Sequence, residues 1–122
     1  MKTRKWEEMY EKIQEKVVDV IEGEPFVSYS AYKTDLNGIP TDNLELVVIK
    51  GNVQFFQKHE IFWGEGKDYM SPVISNPTWL QITILANDMI KITGDKHHIF
   101  LENFDIIKEE NGIKQVEFIM GS

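Results

Sequence analysis

An apolar segment with a helix start signal before it and a helix stop signal after it constrains this chain more than any other feature. Asn76 precedes Pro77, and this pair predicts a helix start because Asn76 can accept unpaired backbone N–H groups and proline has no N–H to lose. Gly94 predicts the stop, since glycine takes the left-handed conformation after a helix without strain. The helix predicted from Pro77 to about Thr93 carries apolar residues around most of its circumference. We therefore expect a buried central helix that lies across a sheet.

A second helix is predicted near the N-terminus, over residues 4–22. Its apolar residues recur at offsets of three and four and form one stripe, while charged residues cover the opposite face. The stripe comprises Trp6, Met9, Tyr10, Ile13, Val17, Val20 and Ile21. We expect this stripe to face the core and Gly23 to end the helix.

Strand patterns fill most of the remaining chain. The predicted strands cover residues 26–33, 44–50, 53–63, 98–108 and 113–120. Gly51-Asn52 and Asn111-Gly112 predict hairpins. Consecutive hairpins give a mainly antiparallel sheet, so the predicted class is α+β: a curved sheet of about five strands with the two helices, in the order α-β-β-β-α-β-β.

Composition restricts the compartment and the organisation of the chain. The 122 residues suit one domain, residues 1–122, with a single core. The chain has no cysteine, which favours a reducing compartment. Its N-terminus lacks the apolar region of a signal peptide, and no apolar run approaches the roughly 20 residues of a membrane helix. We expect a cytoplasmic protein without membrane association.

The charge balance restricts the partners. Acidic residues outnumber basic ones by 20 to 13, which gives a formal net charge of −7, and Arg4 is the single arginine. Nucleic-acid recognition relies on basic patches and arginine forks. We therefore expect no nucleic-acid partner.

Two adjacent histidines, His97 and His98, follow the stop signal. A histidine beside a carboxylate can exchange protons near neutral pH, because its unperturbed pKa is about 6.5. On a regular strand the two histidines point to opposite faces, and His98 stands about 13 Å from Glu102, too far to share a metal ion. His98 is thus the acid–base candidate, with Asp95 and Asp88 as further proton-handling candidates. A structural role for both histidines stays open, and no metal site is predicted.

Aromatic residues form the other candidate site. The predicted ligand-pocket walls are Trp63, Tyr69, Trp79 and Phe100. The aromatic residues could equally form a packed core and a dimer face. In the adjacent pairs Phe55-Phe56 and Phe62-Trp63, one ring must lie on each face of a strand. The outer ring then needs a cover, and a protein partner or a second copy of the chain is the simplest one.

The segment from Gly64 to Asp68 contains Gly-x-Gly-Lys. A phosphate loop requires a longer spacing and a following Ser or Thr, whereas Asp68 would repel phosphate. We interpret the segment as a flexible turn that could form a mobile rim over a cavity.

No catalytic signature accompanies these features. Cysteine is absent, and no serine lies in a Gly-x-Ser-x-Gly elbow. The favoured hypothesis is therefore a non-enzymatic, acidic interaction or adaptor module that acts as a homodimer and binds a protein partner. Two alternatives stay open: a cavity-bearing protein that binds or transforms a small apolar ligand with His98 as acid–base, and an inhibitor or immunity-type protein with a basic target. No cofactor is expected.

Overall fold

The computed structural model describes residues 4–60 and 65–122. These two ranges contain two α-helices, α1 (Arg4–Val20) and α2 (Trp79–Thr93). They also contain eight strands: β1 (Ser28–Tyr29), β2 (Lys33–Thr34), β3 (Pro40–Thr41), β4 (Asn52–Gln57), β5 (Tyr69–Met70), β6 (Ile74–Ser75), β7 (Phe100–Glu110) and β8 (Ile113–Gly121).

Six of the described strands form one sheet in the order β1-β7-β8-β4-β5, and β6 also pairs with β4. β1 runs parallel to β7 and β4 runs parallel to β8, while the other pairs are antiparallel. β2 and β3 form a separate two-stranded sheet. The α+β class is confirmed. The prediction of a mainly antiparallel sheet is wrong, because the sheet is mixed.

The predicted hairpin at Gly51-Asn52 is wrong. Residues 44–50 form no strand beyond one isolated bridge between Val47 and Thr78. They pass instead over the start of α2, where carbonyls of Leu44 and Leu46 accept the N–H groups of Leu80 (2.8 Å) and Trp79 (3.2 Å). The first turn of a helix has no internal partners for its N–H groups. This segment supplies them, so it is not available to pair with β4.

The predicted strand over residues 26–33 is also broken. Its two parts, β1 and β2, belong to different sheets. The second hairpin prediction, at Asn111-Gly112, is confirmed. Asn111 (φ 53°) and Gly112 (φ 77°) connect β7 to β8, and two positive φ values are typical of a type I′ turn.

The caps of α2 confirm the predicted stop at Gly94 and correct the predicted start at Asn76. Gly94 ends the helix with φ 76°, and its N–H donates to Ile90 O at 2.9 Å. The start belongs to Thr78, whose hydroxyl accepts Gln81 N (3.2 Å) while Gln81 Oε1 accepts Thr78 N (2.9 Å). Asn76 is not the cap; its side-chain oxygen accepts Gly51 N at 2.7 Å.

Both helices pack on one face of the sheet, called the inner face. The core residues there include Ile13, Val17, Val53, Phe55, Ile82, Ala86, Ile90, Leu101, Val116 and Phe118. Since residues paired across neighbouring strands share a face, the register also defines the opposite, outer face. It comprises Gln54, Phe56, Met70, Asn103, Asp105, Lys108, Gln115, Glu117 and Ile119. None of these outer-face residues belongs to the buried core of the described chain.

Neither helix within the described ranges is long and apolar enough to cross a lipid bilayer.

Candidate functional site

A cleft of about 370 Å³ opens at the C-terminal end of α2. It lies where β4 leaves β8, since the pairing of these strands stops at Phe56 and Glu117. Its lining residues are Gln57, Lys58, Glu60, Met89, Thr93, Asp95, His98, Phe118, Ile119 and Met120. The cleft thus combines an apolar floor with a polar rim.

The rim holds two predicted residues in direct contact. His98 Nδ1 lies 2.8 Å from Asp95 Oδ2. Both residues and His97 lie in the turn before β7, so the prediction that the histidines point to opposite faces of a strand is wrong. Asp95 Oδ1 holds this turn by accepting His97 N at 3.1 Å, as aspartate does in an Asx turn.

The contact fixes the role that each ring nitrogen of His98 can take. When Nδ1 carries the hydrogen, it donates to Asp95 and leaves Nε2 as the acceptor, the nitrogen that would take a proton from a bound molecule. The arrangement can therefore handle a proton, provided that a ligand reaches Nε2.

Gln57, which lines the cleft, has a polar atom that no described residue satisfies. Its Oε1 is buried and has no hydrogen-bond partner in the described parts of the chain. An unpaired buried acceptor costs about 1–3 kcal/mol. The cleft therefore contains one acceptor whose burial opposes folding.

Two described residues, His59 and Lys67, satisfy carbonyls at the end of α2. Thr93 O lies 2.7 Å from His59 Nδ1, and Ile92 O accepts Lys67 N at 2.9 Å. A Cβ on Gly66 would clash with Thr93 O, so only glycine allows this approach. The described part of the segment, residues 65–68, thus packs closely on the helix end, and its flexibility stays a prediction. His59 is not among the residues predicted for the site, although a histidine beside a helix C-terminus suits the helix dipole.

The other predicted site residues lie elsewhere. Asp88 is exposed and borders a shallow depression with Val20, Ile21, Glu22, Ile84 and Asn87. Trp79 is buried, with its ring 6.0 Å from that of Tyr29 and 5.3 Å from that of Phe104. Phe100 is half-buried at the β1–β7 junction. Trp63 and its neighbour Phe62 lie outside the described residues.

Tyr69 also belongs to the core rather than to the cleft lining. Burial raises the pKa of its hydroxyl, and the charge of Asp88 raises it further. Burial likewise raises the pKa of Tyr29, whose hydroxyl donates to Asn43 Oδ1. Both phenols therefore stay protonated at neutral pH and act as packing groups.

No group of three histidine, cysteine, aspartate or glutamate residues within residues 4–60 and 65–122 could hold a metal ion.

A second candidate site is the side of β7 turned away from β8, here called the β7 edge and running from Glu102 to Glu110. β1 pairs with β7 only at Phe100 and Leu101. Beyond Leu101, no described strand pairs with this edge. Every residue of the β7 edge except the half-buried Phe104 is exposed.

The free side of β1 is closed by contrast. The Gln14 side chain on α1 donates from Nε2 to Tyr29 O (2.7 Å) and accepts Tyr29 N at Oε1 (2.9 Å). This amide takes the place of a neighbouring strand.

Comparisons of this chain with protein-family models, with curated proteins and with solved structures find no match.

Proposed function

We propose that this chain is a small acidic interaction module that binds a protein partner through the uncovered side of its sheet. The observation that carries the proposal is the outer face, on which neither described helix packs. Phe56 and Met70 are cross-strand neighbours there, and the Met70 side chain is 64% exposed. Exposed apolar residues that adjoin one another mark interaction surfaces more often than isolated ones do.

The aromatic pair Phe55-Phe56 supports this proposal. Phe55 is fully buried and stacks on Phe118 at 4.8 Å, whereas Phe56 lies on the outer face and is half-buried. A partner that covers Phe56 and Met70 would remove apolar surface from water, and each Å² of such surface contributes about 25 cal/mol.

The proposed module acts in the cytoplasm as a homodimer. The absence of cysteine suits a reducing compartment, and the net charge of −7 suits a soluble protein that does not bind nucleic acid.

A capture experiment with two matched variants tests the proposal. The immobilised chain is exposed to a lysate of the source cells, beside Met70→Glu and Leu36→Glu. Both substitutions replace an exposed apolar residue by the same acid, but Leu36 is fully exposed in the turn between β2 and β3. We expect one protein to be retained by the wild type and by Leu36→Glu and lost from Met70→Glu. Equal retention by all three chains would contradict a binding role of the outer face.

Raising the salt concentration in the same experiment separates the inhibitor hypothesis. Contacts between exposed charges are screened at high salt, whereas apolar contacts are not. A partner that leaves all three chains at high salt is a basic target held by the acidic surface. A partner that stays on the wild type is held by the apolar patch.

A second candidate function is the binding of a small apolar ligand in the cleft, favoured by the contact between Asp95 and His98 on its rim. The ligand would lie on Met89, Phe118 and Met120, with His98 accepting or donating a proton. Titration of apolar fragments against the wild type, His98→Asn and His97→Asn tests it, since His97 does not line the cleft. Loss of binding in His98→Asn alone supports the function, and equal binding by all three contradicts it.

A further inference from the structure

We propose that the β7 edge pairs with the β7 edge of a second copy of this chain, antiparallel, so that Asp105 of each copy lies opposite Lys108 of the other. The inference rests on the proposed function in one respect: it gives the contact through which the proposed homodimer forms. It uses the edge of the sheet, whereas the binding of another protein uses the outer face.

The backbone supplies the first argument. Strand edges present rows of N–H and C=O groups that bind another strand readily. The β1 ladder ends at Leu101, whose carbonyl accepts Ser30 N at 2.9 Å. From Asn103 to Glu110 the edge therefore offers eight residues, or about 27 Å of strand at 3.4 Å per residue. By comparison, strands β1, β5 and β6 of the described sheet are only two residues long each.

A bulge in β7 supplies the second argument. Ile106 pairs with Val116 and Lys108 pairs with Gln115, so Ile107 is an extra residue without a partner on β8. In a regular strand, residues 105 and 108 would point to opposite faces. The bulge places Asp105 and Lys108 on the same, outer face. Both copies carry the same extra residue, so the residues on either side of it stay in register when the two edges pair.

The charges then select one register. With Asp105 opposite Lys108, the sequence Asp-Ile-Ile-Lys pairs with itself around a two-fold axis between the two isoleucines. Asn103 meets Glu110 on the outer face and Phe104 meets Glu109 on the inner face, so no like charges oppose each other. A shift of one residue would set inner-face residues against outer-face residues. A shift of two toward the hairpin tip would set Asp105 against Glu110.

Pairing also relieves a repulsion within each copy. Asp105 lies directly opposite Glu117 on β8, and like charges in this position destabilise a sheet. No ion pair in the described chain compensates Asp105. Lys108 of the second copy would supply the missing cation. Lys108 already contacts Glu110 at 2.9 Å on the same face, so it needs little rearrangement to lie between the two acids.

The apolar residues of the bulge fit the same arrangement. Ile106 and Ile107 are 45% and 46% exposed. On an isolated strand edge, a charged residue and a bulge discourage pairing with other strands. Here the charged residues and the bulge are compatible with one partner strand, the β7 edge of a second copy. Ile106 of each copy would cover Ile107 of the other.

Cysteine cross-linking tests the register, because the chain contains no cysteine of its own. Asp105→Cys and Lys108→Cys are prepared separately and oxidised alone and as a mixture. Opposed residues in antiparallel strands have Cα atoms about 4.5–5.5 Å apart, within the range of a disulfide. Identical cysteines at 105 would lie about 10 Å apart along the strand. We expect a disulfide dimer in the mixture and none in either variant alone, with Leu36→Cys mixed with Lys108→Cys as the collision control.

Charge exchange tests the same pairing without a covalent bond. Asp105→Lys alone and Lys108→Glu alone each create two like-charge pairs, so the molar mass by light scattering should fall from twice 14.2 kDa to 14.2 kDa. Their mixture restores two opposite-charge pairs and should return to the dimer mass. Both positions are exposed, and circular dichroism of each variant confirms that the fold is kept.

The outcomes separate the two proposals. The β7 pairing is overturned if the wild type is monomeric and the mixture of Asp105→Cys and Lys108→Cys forms no disulfide dimer. It is also overturned if each cysteine variant alone cross-links to the same extent as the mixture. Loss of a captured partner from Met70→Glu, with the β7 pairing absent, leaves the interaction module standing. A cross-linked dimer without any Met70-dependent partner supports the pairing and removes the partner-binding role.

Discussion

Two strand edges of the sheet differ in how their backbone groups are satisfied: the closed stretch, at Tyr29 on β1, and the open stretch, the β7 edge from Glu102 to Glu110. At Tyr29 the N–H and C=O both bind the Gln14 amide, and α1 covers the strand. From Glu102 to Glu110 no described strand performs this task, although β7 is the longest strand of the described chain. One backbone group there, Phe104 N, donates to the neighbouring Asn103 Oδ1 at 2.9 Å. A fold that closes a two-residue strand with a dedicated side chain and leaves most of this nine-residue stretch open indicates that the open stretch has another use. The difference between the closed and the open stretch is the basis of the proposed pairing of the β7 edge with a second copy.

The largest expected effect comes from Asn87 on α2, which binds the chain just before the closed stretch. Asn87 Oδ1 accepts Phe26 N (2.6 Å) and Val27 N (3.0 Å), and its Nδ2 donates to Glu24 O (3.2 Å). Asn87→Ala leaves these backbone groups without partners, so we expect a loss of about 2–4 kcal/mol in the free energy of unfolding. Urea unfolding measures it.

The matched control for this substitution is Asp88→Ala. Asp88 is the next residue and is exposed, so its change should stay within about 0.5 kcal/mol. Equal effects of the two substitutions would show that the Asn87 contacts do not hold the closed stretch.

Removing the strand substitute should have the next largest effect. Gln14→Ala deletes two hydrogen bonds to Tyr29, each worth about 0.5–1.5 kcal/mol, so we expect a loss of about 1–2 kcal/mol. Glu15→Ala, on the exposed side of the same helix turn, is the control. Hydrogen exchange at the Tyr29 amide should accelerate in Gln14→Ala alone. An unchanged exchange rate would contradict the closing role of the amide.

The open stretch should respond differently. Lys108→Glu changes an exposed residue, so the stability of the single folded chain should change by less than about 0.5 kcal/mol. Self-association, by contrast, should be lost. Unfolding at low protein concentration, combined with molar mass at high concentration, measures both. A large loss of stability in the dilute chain would show that the β7 edge serves the fold rather than a partner.

The smallest effect concerns an ion pair beside the closed stretch, between Lys16 of α1 and Asp42. Burial alone would raise the pKa of Asp42, but hydrogen bonds from Lys16 and from Leu44 N, with the charge of Lys16, lower it below 3.8. A lowered carboxyl pKa stabilises the fold above the pKa of the unfolded chain, and this stabilisation is lost as the pH falls through the folded pKa.

Melting curves of the wild type and Asp42→Asn measure this contribution. The amide still accepts Leu44 N, so the substitution removes the charge and keeps the bond. The wild type should melt slightly higher at neutral pH, and the two midpoints should converge at acidic pH. A difference that persists below pH 3 would contradict the assignment to this carboxylate.

Local signals in the sequence predicted the local features of the fold. Gly94 and Asn111-Gly112 were read correctly because a positive φ depends on the residue itself. The Asx turn at Asp95 was equally local, and recognising it would have removed the histidines from the strand. The stripe of α1 faces the core through Ile13 and Val17 as expected.

The long-range features could not be read in this way. The parallel pairing of β4 with β8 joins residues about sixty positions apart, and no local pattern distinguishes it from the hairpin that we expected at Gly51. The role of Asn87 could not be predicted either, because nothing in the sequence shows that residues 24–27 cross α2 there. Of the candidate site, Asp95 and His98 were both named as proton-handling candidates. Their contact depends on the turn after α2, and the cleft beside it depends on where β4 leaves β8.

Amide hydrogen exchange at two protein concentrations tests the central claim most directly. The Tyr29 amide is bound by Gln14 within one chain, so its protection should not depend on concentration. The amides between Asn103 and Glu110 that point away from β8 should gain protection as the concentration rises, and Lys108→Glu should abolish that gain. If these amides exchange as fast as those of an unstructured chain at the highest concentration, while Tyr29 stays protected, the β7 edge does not bind a second copy.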